Sequence, residues 1–221
     1  MAPNPDSTKQ QLISAAEVLF AERGIEAVSL REINAAAGQR NATALQYHFE
    51  DRYGLLMAVL RKHAVDVEAR RHALLDEYER AGHRDLRVVT GTLVRPLAAK
   101  LADPDGGREY LRINAEVLNR PGLLVDDRFR TSPRNSINRW RQLVGPLLAD
   151  VAVRRLHHRF TAIRVSATEL ARRASDAPRR GDELFTSHLI DLVTALLAAP
   201  MSDETVGLLG RRQQHRPTAV S

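Results

Sequence analysis

Capping residues and glycines mark the starts and ends of several short helices in the first quarter of the chain. This pattern of helix starts and stops constrains the fold more than any other sequence feature. Ser7-Thr8-Lys9-Gln10 and Ser29-Leu30-Arg31-Glu32 both have the spacing of a capping box. In that motif a serine hydroxyl and a glutamine or glutamate side chain satisfy free amides at a helix start. Gly24 and Gly38 are suitable helix stops, because glycine adopts left-handed backbone without steric cost. The pattern predicts one helix that ends at Gly24 and a short second helix that ends near Ala37.

The same signals continue along the chain. Asn41 is a good N-cap for a third short helix, Ala42 to about Tyr47, and Asp51 can cap a fourth from Arg52 to about Arg80. No segment shows the alternation of a strand, so we predict an all-α chain. Further helices are expected between glycine- and proline-bearing breaks, at 84–102, 107–119, 133–150, 151–175 and 182–199.

Composition agrees with a helical globular protein. The 221 residues are 43% hydrophobic and include only 12 glycines and 10 prolines. The absence of cysteine excludes disulfides, thiolate metal sites and cysteine nucleophiles. The N-terminus lacks the pattern of a signal peptide, and the longest nearly apolar run, Leu192 to Met201, is about half the length of a membrane span. We therefore expect a cytoplasmic protein.

Charge is distributed unevenly, which limits what it implies. Residues 1–53 carry five basic and seven acidic side chains, a net charge of −2, while the remaining 28 basic and 20 acidic side chains give +8. Bulk charge therefore does not support nucleic-acid binding by the N-terminal segment. Any prediction of DNA binding by this segment therefore depends on the local arrangement of its side chains.

Two short helices joined by a glycine-bearing turn, between Ser29 and His48, are typical of a helix-turn-helix. In this motif the first helix crosses the DNA backbone and the second lies in the major groove. The spacing directs Leu45 and Phe49 inward against Leu19 and Phe20.

The outward residues have side chains suited to DNA. Arg40 can bind guanine or phosphate, Gln46 can pair with adenine, and the Thr43 methyl suits a thymine methyl. Two short capped helices also occur in helical proteins that never touch DNA, so the pattern alone leaves both possibilities open. The candidate DNA-binding residues are Ser29, Arg31, Gln39, Arg40, Asn41, Ala42, Thr43, Gln46, Tyr47, His48 and Arg52.

The stretch from Leu12 to Leu56 resembles the tetracycline-repressor (TetR) family of bacterial transcriptional regulators. The likeness is carried by Leu19-Phe20-Ala21-Glu22-Arg23-Gly24, Val28-Ser29-Leu30-Arg31-Glu32-Ile33, Ala36-Ala37-Gly38, Tyr47-His48-Phe49 and Asp51-Arg52 with Gly54-Leu55-Leu56. Two departures are the extra residue in the turn at Gln39-Arg40-Asn41 and Gln46 where an aromatic residue is common.

The resemblance implies a repressor with an N-terminal three-helix DNA-binding domain and a larger C-terminal helical domain. It implies phosphate contacts from Tyr47, His48 and Arg52, and base contacts from the third helix. It also implies that a small molecule bound in the C-terminal domain moves the two DNA-binding domains apart and releases DNA. We expect the domains to span residues 1–53 and 54–202, followed by a disordered tail, 203–221.

Helix-turn-helix proteins usually bind DNA as dimers on half-sites one helical turn apart. Two apolar stripes in the C-terminal half predict a four-helix homodimer interface, with both stripes as internal core being the alternative. The expected interface residues are Leu156, Phe160, Ile163, Ala167, Leu170, Phe185, Leu189, Leu192 and Leu196. An apolar cavity with a few polar groups should bind the effector, and its candidate residues are Tyr110, Asn114, Phe129 and Trp140.

Other functions have weaker support. The histidines at 157, 158 and 188 lack the spacing of a metal site, so we expect neither a metal nor a cofactor other than the unidentified effector. No pair of acid and base residues or nucleophile motif indicates an enzyme, and no catalytic residue is proposed. The main alternative is a ligand-binding or interaction dimer that has weak or no affinity for DNA.

Overall fold

The computed structural model describes residues 5–39, 44–82, 84–120, 135–154, 156–177 and 181–214, and all regular structure within them is helical. This confirms the predicted all-α fold. Two short 3-10 turns, Ala99–Ala102 and Gly145–Leu147, accompany the α-helices. The helices are α1 (Pro5–Arg23), α2 (Leu30–Ala36), α3 (Ala44–Phe49), α4 (Arg52–Ala81), α5 (Leu86–Ala98), α6 (Gly107–Asn119), α7 (Ser136–Val144), α8 (Asp150–Arg154), α9 (His158–Ser175), α10 (Asp182–Ala198) and α11 (Asp203–Gln214).

Of the four predicted N-caps, three lie in the described residues, and two of these three are confirmed. Ser29 and Asp51 both cap their helices, since the Ser29 hydroxyl accepts from the Glu32 amide and the Asp51 carboxylate accepts from the Gly54 amide. The prediction that Ser7 caps the first helix is wrong, because α1 begins at Pro5 and contains Ser7. Proline is favoured in a first helical turn, where its missing amide has no partner to lose. The predicted cap Asn41 lies outside the described residues.

The C-terminal helices differ from the predicted spans at three points. The predicted helix 133–150 is described only from Ser136 and ends at Val144, because Gly145 and Pro146 lead into a 3-10 turn. The predicted helix 151–175 is divided into α8 and α9 at His157, whose φ of 54° is left-handed. Residues of the predicted disordered tail instead form α11.

The start of α11 has a signal that composition alone did not reveal. The Ser202 hydroxyl accepts from the Thr205 amide at 3.3 Å, which is an N-cap contact. Asp203 and Glu204 follow in the first turn, where negative charge favours a helix. The polar composition of the segment therefore marks an exposed helix.

Two hydrophobic cores organise the chain. The N-terminal core joins α1, α2 and α3 to the start of α4 and to one face of α6; its largest fully buried side chains include Phe20, Ile33, Leu55 and Ile113. The second core lies among α4, α5, α6, α7, α9 and α10 and includes Leu75, Leu93, Leu111 and Trp140. Helix α4 runs through both cores, so the expected domain boundary at residues 53 and 54 falls inside a continuous helix.

No single described helix is both long enough and apolar enough to cross a membrane, although α10 and residues 203–211 of α11, bent by 48°, satisfy the criteria of length and composition when taken together.

The cap of α2 gives a first test of the fold. Replacing Ser29 with alanine removes the acceptor for the Glu32 amide and should lower the free energy of unfolding by about 0.5–2 kcal/mol, measured by urea denaturation. Ser7→Ala is the matched control and should leave stability unchanged, because Ser7 lies inside an exposed turn of α1. An equal loss in both variants would contradict the helix start at Pro5.

Candidate functional site

The segment from Ser29 to Phe49 forms the predicted pair of short helices around a glycine turn. Val28, Ile33 and Phe49 are buried in the N-terminal core, so α2 and α3 are held against α1 and α4 through one apolar face. Gly38 has a φ of 67°, the left-handed backbone that ends α2. The described side chains on the opposite face, those of Arg31, Ala35 and Tyr47, are exposed to solvent.

Ser29 is fully engaged in its own cap. Its amide donates to Glu32 Oε2 at 2.8 Å and its hydroxyl donates to the same oxygen at 2.7 Å, while Arg23 holds Oε1. These bonds, the one from the Ser29 hydroxyl above all, lower the pKa of Glu32 to about 2. The contribution of the charged Glu32 side chain to the cap is complete at neutral pH and is lost as the pH falls from 4.5 towards about 2, whereas the bond from the Glu32 amide to the Ser29 hydroxyl does not titrate. Ser29 therefore fixes α2 rather than offering a free hydroxyl to phosphate.

Two more predicted DNA contacts have structural roles. The Arg52 guanidinium donates to the backbone carbonyls of Ile25 and Glu26 at 3.1 and 3.0 Å, and so fastens the loop between α1 and α2 to the start of α4. The Gln39 side-chain amide donates to Gln11 Oε1 at 3.0 Å and connects the α2–α3 turn to α1. Both residues orient the helix pair through the groups that were expected to bind phosphate or base.

Three predicted DNA contacts remain on the solvent side of the pair. Tyr47, near the end of α3, is 83% exposed, and its ring contacts the half-buried His48 ring edge-on at 5.1 Å. Arg31 on α2 is also exposed. Arg40, Asn41, Ala42 and Thr43 lie outside the described residues, and Gln46 is described by its backbone only.

The joint between α3 and α4 requires a glycine. A Cβ at Gly54 would lie 2.1 Å from the Phe49 carbonyl oxygen, a distance that no side chain tolerates. The Gly54 amide also donates to Asp51 Oδ1 at 2.7 Å. Close approach of the backbones therefore fixes the angle between α3 and α4, and with it the direction of Tyr47.

A buried polar cluster connects this N-terminal unit to the rest of the chain. Glu17 on α1 is 3% exposed and accepts from Lys62 Nζ at 2.8 Å, and its other oxygen lies 2.6 Å from His63 Nε2. Lys62 also donates to Asp105 at 2.7 Å. Burial opposes the charge of Lys62, but the hydrogen bonds to Asp105 and Glu17 outweigh it and raise the pKa of Lys62.

The loop between α5 and α6 closes over this cluster. A Cβ at Gly106 would lie 2.1 Å from Glu17 Oε2 and would displace the carboxylate from its partners, and the φ of 77° at this position also favours glycine. A second connection runs from α6, where Glu116 accepts from the Ile25 amide at 3.2 Å. The loop before α6 therefore contacts α1 at Glu17, and α6 itself holds the segment just after α1 at Ile25.

A cavity of about 370 Å³ lies among α4, α5, α6, α7 and α9. Its walls include the apolar side chains of Val67, Leu93, Leu97, Leu118 and Ile163. Polar groups enter from Arg71, Glu68, Tyr110, Asn114 and Arg141. An apolar space with a few polar groups is the usual form of a small-molecule site.

Arg71 is the most unusual lining residue, since its whole side chain is buried. Its Nη1 donates to Ser136 Oγ at 2.9 Å and to Glu68 Oε1 at 3.3 Å. Its buried Nε has no hydrogen-bond partner among the described residues. Burial lowers the pKa of Arg71, and neighbouring Glu68 opposes that effect.

The four predicted effector residues have different positions. Tyr110 and Asn114 line the cavity, and burial raises the pKa of Tyr110 to about 12. Trp140 does not line it: the indole is fully buried and donates to the Val89 carbonyl at 2.9 Å, so this residue belongs to the core. Phe129 lies outside the described residues.

The predicted interface residues separate into two groups. Ile163, Ala167, Leu170 and Leu189 are buried in the core of their own chain, so assigning them to an exposed interface is corrected. Leu156, Phe185 and Leu196 are half-buried, Phe160 is partly exposed and Leu192 is 52% exposed. Leu184, which the prediction omitted, is 81% exposed on α10.

Sequence reasoning missed Glu17, His63 and Arg71, although each leaves a signal. Arg71 occupies an apolar stripe of α4 between Val67 and Leu75 at helical spacing, and His63 stands one step earlier in it. Glu17 lies next to Ala16 on the buried face of α1. A charged side chain at a core position indicates a buried partner.

Residues 12–59 match the family model described as bacterial regulatory proteins, tetR family. The match covers α2, α3 and the parts of α1 and α4 that enclose them. No curated protein is similar enough to the chain to count as a relative.

Solved structures share the fold over most of the chain. A probable transcriptional regulatory protein, RHA5900, covers 87% of this chain and is covered completely, at 22% identity and a TM-score of 0.56. A putative TetR-family regulator from Mesorhizobium loti covers 89%, is itself covered to 98%, and has 17% identity and a TM-score of 0.52. NalD from Pseudomonas aeruginosa covers 90% and is covered completely, at 19% identity and a TM-score of 0.51. At these identities the likeness extends to fold.

The structural role of Arg52 can be tested against a matched arginine. Arg52→Met removes the donor to Ile25 and Glu26 and should lower the free energy of unfolding by about 1.5 kcal/mol, the lower range for a charged donor at a half-exposed position. Exposed Arg31→Met makes the same change in charge and should alter stability by no more than about 0.5 kcal/mol. Equal stability of both variants in urea denaturation would show that Arg52 does not fasten the loop.

Proposed function

We propose that this chain is a DNA-binding transcriptional regulator and acts as a ligand-responsive repressor, because residues 12–59 match the family model of the tetR bacterial regulatory proteins. It binds an inverted-repeat operator as a homodimer in the cytoplasm. Residues from α2 and α3 contact the DNA, and a small molecule in the cavity weakens that contact. The protein works by binding and not by catalysis.

The observation that carries DNA binding is the exposed face of the α2–α3 pair. Tyr47 is a large aromatic side chain with 83% exposure on a helix whose other face is fixed by Phe49. An exposed aromatic with a hydroxyl can pack on the sugar and donate to phosphate, contacts that position a protein on the duplex. Gly54, Arg52 and Gln39 hold this face rigidly, which supports a defined fit to DNA.

The buried polar cluster supports the response to a ligand. Tyr110 is a wall of the cavity, and its ring stacks on the His63 ring at 4.8 Å between centroids. His63 in turn contacts Glu17 of α1 at 2.6 Å. An occupant that shifts Tyr110 therefore acts through His63 on the first helix of the DNA-binding domain. A ligand shifts such an equilibrium only by its difference in affinity for the two arrangements.

Two considerations support repression by a dimer. NalD, which shares the fold, is described as the secondary repressor of a multidrug efflux pump. A single short recognition helix contributes little affinity, and helix-turn-helix proteins compensate by binding two half-sites about one turn apart. Helix α10 offers the exposed apolar surface for a second copy through Leu184 and Leu192.

The experiment that tests the function is selection of bound sequences from a random DNA duplex pool, followed by titration of the selected duplex. Wild type should recover an inverted repeat, with affinity that falls steeply as salt rises. Tyr47→Ala should weaken binding by about 1–3 kcal/mol without loss of helicity. Val65→Ala, an exposed apolar position on α4, is the control and should bind as wild type.

Recovery of no sequence by wild type at low salt would reject the repressor and favour the alternative, a helical ligand-binding or interaction dimer. The net charge of −2 over residues 1–53 is the observation that keeps this alternative in view. Unchanged affinity in Tyr47→Ala would reject the assigned DNA-binding face.

The dimer can be tested separately at α10. The double change Leu184→Asp and Leu192→Asp should convert the dimer to a monomer in sedimentation velocity, because each leucine loses about 1.5–3 kcal/mol of apolar burial. Folding should survive, since neither side chain is in the core. Val65→Asp introduces one negative charge at an exposed position of α4 and should remain dimeric. Dimers of unchanged affinity in the double variant would reject this surface.

A further inference from the structure

The chemistry of the cavity is set by a buried positive charge. Arg71 is 2% exposed and lines a space with mainly apolar walls. A guanidinium in such surroundings is costly unless an anion and hydrogen-bond acceptors compensate it. The charge expected of a ligand in the cavity therefore depends on how far the chain's own anions and acceptors compensate Arg71.

The described residues compensate Arg71 only in part. Glu68 is the nearby anion, but it divides its oxygens between Arg71 Nη1 at 3.3 Å and the Ser136 amide at 2.8 Å. Ser136 Oγ accepts a second bond from Nη1, while the buried Nε has no partner among the described residues. Arg141 also lines the cavity, where its Nη1 donates to Asn138 Oδ1 at 3.4 Å, so the argument for a ligand rests on Arg71. An anion is the occupant that completes this arrangement.

The remaining lining limits the rest of the ligand. Val67, Leu93, Leu97 and Leu118 present apolar surface, so the body of the ligand should be apolar. With about 30 Å³ for each group of the size of a water molecule, the volume of about 370 Å³ holds roughly a dozen non-hydrogen atoms. Arginine binds carboxylates in a two-pronged geometry, which suits a small organic acid.

We propose that the effector is a small amphipathic carboxylic acid, whose carboxylate pairs with Arg71 and whose apolar body fills the cavity. The inference rests on the proposed function in one respect, that the cavity is the effector site. A cationic ligand would meet the incompletely compensated charge of Arg71. A neutral ligand would leave the Arg71 charge as incompletely compensated as before.

The test compares three probes with one chain length and different head groups: decanoate, decanol and decylammonium. Binding of each to the full-length protein, without DNA, is measured by isothermal titration calorimetry at neutral pH and below micelle-forming concentrations. Decanoate should bind about tenfold or more tightly than either other probe, the difference expected for a hydrogen-bonded ion pair. A second pair of different shape, 4-phenylbutanoate and 4-phenylbutanol, should show the same order.

Three variants identify the residue responsible. Arg71→Met should abolish the preference for the carboxylate, and Arg71→Lys should retain it in weaker form because the charge remains. Arg112→Met is the matched control, since Arg112 on α6 also has a buried Nε without a partner among the described residues but does not line the cavity. If Arg71→Met fails to fold, the affinities of the three head groups for wild type and Arg71→Lys still test the proposal. The preference for the carboxylate should be present in wild type and weaker in Arg71→Lys.

Equal affinity for all three head groups, tighter binding of decylammonium, or an unchanged preference in Arg71→Met would overturn the proposal. Failure of both carboxylates to bind would do the same. Release of the selected operator duplex is measured in a separate titration. A carboxylate that binds through Arg71 but does not release DNA would leave the ligand class intact and reject the regulatory role of the cavity.

Discussion

The arrangement of the two cores depends on one buried carboxylate, Glu17. A charge removed from water must find partners that are equally fixed, and Glu17 finds Lys62 and His63 on α4 at 2.8 and 2.6 Å. The loop at Gly106 then covers it so closely that a Cβ there would displace the carboxylate. Three elements from distant parts of the sequence are brought to one point by this requirement. Neighbouring apolar contacts add stability, but the polar partners select a single relative orientation.

Local features of the fold were predictable from the sequence because their causes are local. The Ser29 and Asp51 caps and the span of α6 follow from interactions over three or four residues. The contact between Arg71 and Ser136 crosses 65 positions and that between Ile25 and Glu116 crosses 91, and no local pattern encodes either partner. The candidate site shows the same division. Tyr47 was identified correctly as an outward residue, whereas the engagement of Arg52 depends on a loop that only tertiary structure brings near.

The apolar stripes of α9 and α10 illustrate a different limit. Spacing of three and four residues identifies a helix face that is covered, but it carries no information about which chain covers it. Ala167, Leu170 and Leu189 are covered by their own chain, while the more exposed Leu184 stands outside the regular stripe. The interface proposed on α10 therefore combines Leu192, which belongs to the predicted stripe, with Leu184, which the periodic pattern leaves out. The exposed fraction of each side chain, which requires a structure, distinguishes residues covered by their own chain from residues available to a second copy.

Helix α4 has a mechanical consequence that follows from its length. Its 30 residues form one uninterrupted rod, about 45 Å long at 1.5 Å per residue. The rod begins at the joint with α3 and passes the cavity at Val67 and Arg71. A rotation of about 5° around its far end would move its first turn by roughly 4 Å, which is about the rise of one base pair along DNA. In the proposed repressor, an adjustment too small to disturb close packing around a ligand would thus shift the DNA-binding helices by about one base pair along the operator.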